Sequence, residues 1–423
     1  MSSKIAAPRG TQDTLPPQSG SWRELESRLA GLAQRFGYGE VRTPTFEYTE
    51  LFERGVGEAT DIVEKEMYSF VDKGGRRLTL RPEWTAPVVR AALGANLFAQ
   101  GAARLYYIGS IYRYERPQRG RYRQSHQFGV ECFGFAGPEA EVEVIALVDE
   151  VLRSYGIHGV RLNLNSIGDK HCRPRYRQAL LDYLRPYRSE LSEESQQRLE
   201  RNPLRVLDSK DERDQRFLQT VPTFESILCQ PCRDHFEAVK GYLDALKIAY
   251  TVNPRIVRGL DYYTRTVFEF VSDALGAQGT ICGGGRYDGL VESLGGPSLP
   301  AVGFGLGLER FLMLLEALHG EPPRPRNGIQ AIALGQEARV RLVPIVAGLR
   351  RLGACTFIDY EERKLLGHLK IADRNAAGHA LILGSDELAS GEIILRNLER
   401  RVDRRLPLSP EQDVAAAIVK EVG

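Results

Sequence analysis

Five arginines fall within twelve residues at the start of YRYERPQRGRYRQSHQFGVECFG, residues 112–134, and the segment then turns abruptly apolar. Guanidinium groups grip phosphate and carboxylate through a planar fork of donors, so such a cluster suits an anionic ligand. A run of like charge is otherwise a solvated face or a tail. Here tyrosines and a Pro-Gln-Arg-Gly turn interleave the run, and an alternating segment follows it. Residues two apart on a strand share a face. Gln127, Gly129, Glu131 and Phe133 then lie together, an amide and a carboxylate flanking a glycine on which a small polar ligand can lie. The preceding strand offers Tyr107, Ile111 and Arg113 on one alternation, with Arg113 where strand meets loop.

Three further segments carry compatible chemistry. RGLDYYTRTVFEFV, residues 258–271, sets Arg258 just ahead of Asp261, Tyr262, Tyr263 and Arg265, a combination able to wall a pocket for a planar, partly charged group. GGGRYDGL, residues 283–290, has three consecutive glycines, which allow close approach of the backbone. In AVGFGLGLERFLMLLE, residues 301–316, Gly303, Gly305 and Gly307 alternate and leave one strand face bare for a flat ligand. The helix after them carries Glu309 and Arg310 in its first turn, and a helix N-terminus beside an arginine suits phosphate. Taken singly, each segment also fits ordinary packing of small residues or of core and surface neighbours.

Several elements must hold these residues. Trp22, Leu25, Leu29, Leu32 and Phe36 recur at helical spacing, which predicts a helix capped by serine and stopped by Gly37. RRLTLRPEWTAPVVRAALG reads as strand, turn at Pro82 and helix; ARLYYIGSIYRYE and HQFGVECFGF read as an antiparallel pair around the arginine-rich loop. Residues 170–250 are charged and helical without strand alternation, so they read as an inserted helical module. The proline-rich stretch GEPPRPRNG, residues 320–328, is a linker, and strands and helices alternate after it as in a small α/β domain. A chain of 423 residues suits more than one core, and the expected division is 1–325, interrupted by 170–250, and 326–423.

Net charge is only +2, so a polyanion must be held by local patches rather than by the whole molecule. Of 57 basic residues only 10 are lysine, leaving 47 arginines. Six cysteines in so long a chain do not make a disulfide framework. Cys229-Gln-Pro-Cys232 with His235 nearby looks like half a zinc site, but no second Cys-x-x-Cys follows, and no metal is expected. The N-terminus has no apolar core of a signal peptide, and no run reaches 18 apolar residues. A soluble, cytoplasmic protein without a membrane partner is the expectation.

These segments together resemble the class II aminoacyl-tRNA synthetases, and specifically the histidyl-tRNA synthetase family. APRGTQDTLP matches that family's opening, and the region around Pro44 resembles motif 1, which builds the class II dimer. RPEWTAP with YRYERPQRGRYRQSHQFGVE resembles motif 2, and GFGLGLER resembles motif 3. RGLDYYTRTVFEF and GGGRYDGL resemble the two histidine-specific motifs. The match runs in the family's order from about residue 8 to about residue 400.

The resemblance implies an α+β fold: an antiparallel class II catalytic sheet flanked by helices, a helical insertion and a C-terminal α/β anticodon-binding domain. It implies ATP-dependent ligation of L-histidine to tRNA(His) through a histidyl-adenylate, by a homodimer, with Mg2+ bridging the ATP phosphates. By the same resemblance Arg113 and Arg258 are catalytic and grip the α-phosphate. Glu115, Gly303, Gly305 and Arg310 complete the ATP site, and Glu83, Thr85, Gln127, Glu131, Tyr263 and Tyr287 bind histidine. Arg116, Gln118, Arg119, Arg121 and Arg123 would meet tRNA. Trp84 stands where many relatives have glycine, and Ser125 where relatives often stack a phenylalanine on adenine, a loss of about 1–3 kcal/mol of stacking. Ser192, Ser195 and Ser209 stand where some relatives carry cysteine pairs, which also argues against zinc. The competing readings are a non-catalytic histidine-sensing paralogue, like the regulatory subunit of ATP phosphoribosyltransferase, and an RNA-binding module.

Overall fold

The computed structural model describes residues 5–57, 60–201, 203–256, 260–320, 326–409 and 411–422. The chain divides into two compact units, Met1–Gly320 and Glu321–Gly423.

The first unit opens with α1 (Gln18–Arg35), which buries Leu25, Leu29 and Leu32 as their spacing requires. Gly37, at φ +82°, ends it as expected, but the serines lie inside the helix, because Pro17 already occupies the N-cap. Short strands β1 (Gly39–Glu40) and β2 (Phe46–Tyr48) lead into α2 (Thr49–Val56). Next come β3 (Tyr68–Val71), β4 (Arg77–Leu80) and, after the Pro82 turn, α3 (Thr85–Gly94). Strands β2, β4 and β3 form a small sheet in that order.

The arginine-rich loop joins β5 (Ala103–Tyr112) to β6 (Gln124–Phe133), an antiparallel pair whose register runs from Ala103 opposite Phe133 to Tyr112 opposite Gln124. After α4 (Glu139–Ser154) and β7 (Val160–Ser166), the charged stretch forms α5 (Cys172–Leu184), α6 (Glu193–Arg201), α7 (Glu212–Leu218) and α8 (Gln230–Ala245). Then follow β8 (Tyr250–Val252), β9 (Thr264–Ser272), β10 (Thr280–Arg286), the single turn α9 (Leu290–Ser293), β11 (Ala301–Gly307) and α10 (Leu308–His319). The large sheet has the order β1-β5-β6-β11-β10-β9-β7-β8 and is antiparallel except at β1 and β8.

Strand alternation sorts this sheet into two faces. Phe128, Val130 and Cys132 of β6 join Val302, Phe304 and Leu306 of β11 in a core with leucines of α1, valines of α4 and Phe311 of α10. The odd-numbered residues of the same strands turn the other way, toward α3 and the arginine loop. Helices therefore cover one face and leave the second for a ligand.

The second unit has β12 (Ile329–Ala333), α11 (Gln336–Arg351), β13 (Thr356–Ile358), α12 (Leu365–Arg374), β14 (His379–Leu383), α13 (Ser385–Ser390), β15 (Glu392–Asn397), β16 (Val402–Pro407) and α14 (Glu411–Val422). Its sheet, in the order β13-β12-β14-β15-β16, is parallel across the first three strands and antiparallel across the last two.

The serines of the inserted module surround a carboxylate. Ser192, Ser195 and Ser209 donate from Oγ to Asp214 Oδ2 at 2.7, 2.6 and 2.5 Å, and the Ser192 amide donates to Oδ1 at 2.8 Å. Burial opposes its ionisation, but these donors hold Asp214 below the ordinary carboxylate range.

Candidate active site

The bare face of the sheet is wider than the alternating glycines of residues 303–307 suggest. In register, Gly303 lies opposite Glu131, Gly305 opposite Gly129 and Gly307 opposite Gln127. On the other side Gly305 pairs with Gly283 and Gly303 with Gly285, so two of the three consecutive glycines extend the same face. A cavity of about 330 Å³ stands on this floor, within the range of small-molecule sites. A Cβ on Gly303 would meet Glu131 Oε2 at 2.1 Å, and one on Gly129 would meet Tyr107 Oη at 2.3 Å. One on Gly305 would find nothing nearer than Gln127, at 3.5 Å. The first two glycines let neighbouring side chains pass; Gly305 leaves the cavity itself open.

One end of the cavity is a buried carboxylate pair. Glu83 caps α3, accepting from the amides of Thr85 at 2.7 Å and Ala86 at 2.9 Å, as the turn at Pro82 allows. Glu131 Oε1 accepts from Thr85 Oγ1 at 2.7 Å, and its Oε2 accepts from the Tyr287 hydroxyl. Tyr262, Tyr263 and Tyr287 form a wall, with ring centroids 4.8 Å apart for the first two and 5.5 Å for the first and third. Burial pushes the Glu131 carboxyl up to about 8 and Glu83 pushes it the same way, against hydrogen bonds from Tyr287, Thr85 and Tyr107. Burial raises Glu83 as well, opposed by its two amide donors and by the charge of Arg113.

This burial has a pH signature. Unfolded, the Glu131 carboxyl ionises near 4.5. Between that value and about 8 the folded chain keeps a proton that the unfolded chain has released. The stability it contributes is complete below the lower value and is lost as pH rises through the upper one. The melting temperature of the free protein is expected to fall from about pH 5 to about pH 8 more steeply than that of Glu131→Gln. Parallel melting curves for the two proteins would remove Glu131 as the titrating group.

The lining is also cationic. Arg113 Nε donates to Pro82 O at 2.8 Å, which ties the arginine to the turn carrying Glu83. Arg310 donates to Gly120 O at 3.0 Å and to Thr280 O at 2.7 Å, bridging the arginine loop and the start of β10. Burial, and then the charges of Arg121 and Arg113, hold the Arg310 guanidinium below its ordinary value, with Glu309 opposing. Three guanidiniums thus crowd one cleft, and an anion between them relieves their repulsion. Arg258 lies outside the described residues.

Every described residue assigned to histidine or ATP on sequence grounds lines this one cavity: Glu83, Thr85, Arg113, Glu115, Gln127, Glu131, Tyr263, Tyr287, Gly303, Gly305 and Arg310. Arg121, assigned to tRNA, also lines it and contacts Glu115. The other assigned tRNA contacts divide. Arg116, Gln118 and Arg119 are exposed, whereas Arg123 stacks 3.9 Å above the Tyr114 ring and its amide donates to Gly10 O at 2.8 Å. Among the lining residues given no role are Tyr107, Tyr262 and His126. Tyr107 shares the alternation of Arg113, a signal present in the sequence; His126 Nδ1 lies 2.8 Å from Glu309 Oε1, a pairing no local pattern announces.

Trp84 is accommodated by another glycine. Its ring stacks on Tyr107 with centroids 4.8 Å apart, Arg81 lies 3.6 Å above it, and its Nε1 donates to Gly109 O at 3.4 Å. A Cβ on Gly109 would stand 2.7 Å from the indole. Gly109→Ala is expected to cost about 1–3 kcal/mol of stability by overpacking, read from urea unfolding. An unchanged unfolding midpoint would mean that the indole can move aside.

An antiparallel sheet bearing motif-2 and motif-3 residues on one bare face is the architecture of class II aminoacyl-tRNA synthetase catalytic units. The profile described as Histidyl-tRNA synthetase matches residues 10–311. A Histidine–tRNA ligase of Moorella thermoacetica is 48% identical over 409 residues, 96% of each chain, and one of Desulfitobacterium hafniense is 46% identical over 421 residues, 99% of each. The crystal structure of apo S. aureus histidyl-tRNA synthetase superposes with a TM-score of 0.82 at 36% identity, covering 99% of this chain and 100% of that one. The chain belongs to the histidyl-tRNA synthetase family. Its activity is the ligation of histidine to tRNA, in a family that uses ATP as substrate, and the regulatory-subunit reading is not favoured.

Proposed function

We propose that the cavity makes histidyl-adenylate from L-histidine and MgATP and then passes the histidyl group to tRNA(His). The carboxylate of histidine attacks the α-phosphorus, pyrophosphate leaves, and a ribose hydroxyl at the tRNA 3′ end later attacks the acyl carbon and releases AMP. The observation that carries this reading is one cavity lined both by a tyrosine-walled carboxylate pair and by guanidiniums. Glu83, Thr85, Gln127 and Glu131 take the ammonium and imidazole N–H groups, and Tyr263 and Tyr287 enclose the ring. Arg113 and Arg258 stabilise the charge on the α-phosphoryl group, and Arg310 takes the γ-phosphate. Magnesium arrives with ATP; the carboxylates nearest the arginines, Glu115 and Glu309, are engaged by Arg121 and His126. Histidine-dependent exchange of labelled pyrophosphate into ATP tests this reading, and histidine binding without exchange would refute it.

Residues Arg116, Gln118, Arg119, Arg121 and Arg123 meet the acceptor end of tRNA, with Arg121 serving the ATP site as well. Residues 326–423 form the anticodon-binding domain, while 1–325 form the catalytic domain with 170–250 inserted. Deleting 326–423 is expected to spare adenylation and to raise the tRNA concentration needed for charging. Unchanged charging by the truncated protein would count against an anticodon role.

The working form is a homodimer. In the small sheet, Phe46 and Tyr48 share a face with Leu80, Leu78, Tyr68 and Phe70, whereas Ser69 and the buried Glu47 and Thr79 lie on the other face. Phe46, Tyr48 and Phe70 are about half exposed in the single chain, at 51%, 55% and 45%. A sheet whose apolar face looks outward suits burial against a second copy.

A further inference from the structure

The sequence offers half a zinc site at Cys229, Cys232 and His235, and the fold completes it differently. His235 turns away: its Nε2 lies 2.5 Å from Glu141 Oε1, and its Nδ1 lies 3.4 Å from Arg265. In its place stand Asp169, from the loop after β7, and Cys172, the first residue of α5. One ligand atom from each of Asp169, Cys172, Cys229 and Cys232 lies within 4.8 Å of every other. We propose that these four residues bind one structural zinc ion as a three-cysteine, one-carboxylate site. Four ligands at the corners of a tetrahedron with arms of about 2.3 Å stand about 3.8 Å apart, so a small contraction of this cluster completes the coordination.

The surroundings fit a closed structural site. Cys172 and Cys232 are 1% and 0% exposed and all the cysteines are free thiols. Asp169 uses Oδ1 to accept the amides of His171 at 2.9 Å and Cys172 at 3.1 Å, while Oδ2 lies 3.9 Å from Cys229 Sγ. The Cys229 amide donates to Cys172 Sγ at 3.2 Å, the hydrogen bond that orients and stabilises a metal-bound thiolate. Gly168, at φ +63°, folds the loop against Cys172, and a Cβ there would stand 2.4 Å from the cysteine's own. Thiolate donors with a carboxylate select zinc over the hard, oxygen-preferring cations.

The ion would close the base of the inserted helices. Cys172 begins α5 and Cys229 caps α8, 57 residues later. The same base touches the histidine end of the cavity. Arg173 donates to Asp261 O at 2.9 Å and Tyr263 O at 3.3 Å, and Ile167 and Gly168 exchange backbone bonds with Arg265 at 2.8 and 2.6 Å. Loss of the ion is therefore expected to loosen the segment carrying Tyr262 and Tyr263.

The test is the metal content of the full chain purified with reduced thiols and no chelator. About one zinc per chain is expected, and cobalt exchanged into the site should give the visible absorption of a tetrahedral thiolate complex. Cys232→Ser and Asp169→Ala should each lower zinc content and raise the KM for histidine, while Cys355→Ser changes neither. Because a variant can fail to fold, the wild-type chain is also titrated with zinc and cobalt directly. Wild-type protein that is metal-free and takes up neither ion would overturn the proposal. So would a disulfide between Cys229 and Cys172 or Cys232 in the active enzyme.

Discussion

Replacing Arg113 with glutamine is expected to slow histidine-dependent pyrophosphate exchange by about 10²–10³, the usual cost of one preorganised donor at a developing charge. The effect should fall on kcat with histidine affinity within about tenfold, because the proposed histidine contacts come from Glu83, Thr85, Gln127, Glu131 and two tyrosines rather than from Arg113. Its Nε holds Pro82 O at 2.8 Å, so some disturbance of Glu83 is expected as well. Arg113→Lys separates charge from shape: a lysine keeps the positive charge but loses the fork that can hold a phosphoryl oxygen and the Pro82 carbonyl together. Exchange within about threefold of wild type for the glutamine variant would remove Arg113 from the proposed chemistry.

Gly305→Val should be comparably damaging for a different reason. The glycine faces the open cavity, and its first added carbon meets only Gln127, at 3.5 Å. The folded chain can therefore carry the side chain, and thermal stability is expected to stay near wild type. A ligand lying on the floor cannot. Displacing a reacting group by about 1 Å costs on the order of 10²-fold in rate, and the branched side chain demands at least that. Gly303→Val supplies the contrast, because its Cβ would collide with Glu131 Oε2 and destabilise the protein itself. Should Gly305→Val melt as early as Gly303→Val, the difference between the two glycines would have been misjudged.

Much of the first unit was legible in the sequence. Alternation placed Gln127, Gly129 and Glu131 on one face of their strand and Gly303, Gly305 and Gly307 on one face of theirs, and the register joins the two into a single floor. The arginine loop and its two strands were equally plain, since the turn and the apolar alternation lie within a few residues of each other. The serine cap of α1 failed because Pro17, with its fixed φ, had already begun the helix. Arg121 was grouped with the residues expected to meet tRNA, yet it also lines the cavity, where it contacts Glu115, six residues away. Nothing within the loop's sequence marked which of its arginines would turn inward.

Sequence alone determined which side chains share a strand face or a helix face, and singled out 112–134, 258–271, 283–290 and 301–316, all of which supply residues to the one cavity. Those properties repeat with periods of two or about 3.6 residues, so neighbours in the chain encode them. Tertiary structure decided which faces became adjacent: that β10 extends the glycine floor of β11, that His235 serves Glu141, and that Asp169 and Cys172 meet Cys229 and Cys232. Such contacts depend on register and packing between segments far apart in the chain. A one-residue slip in register would turn every glycine of the floor to the opposite face without altering any local pattern.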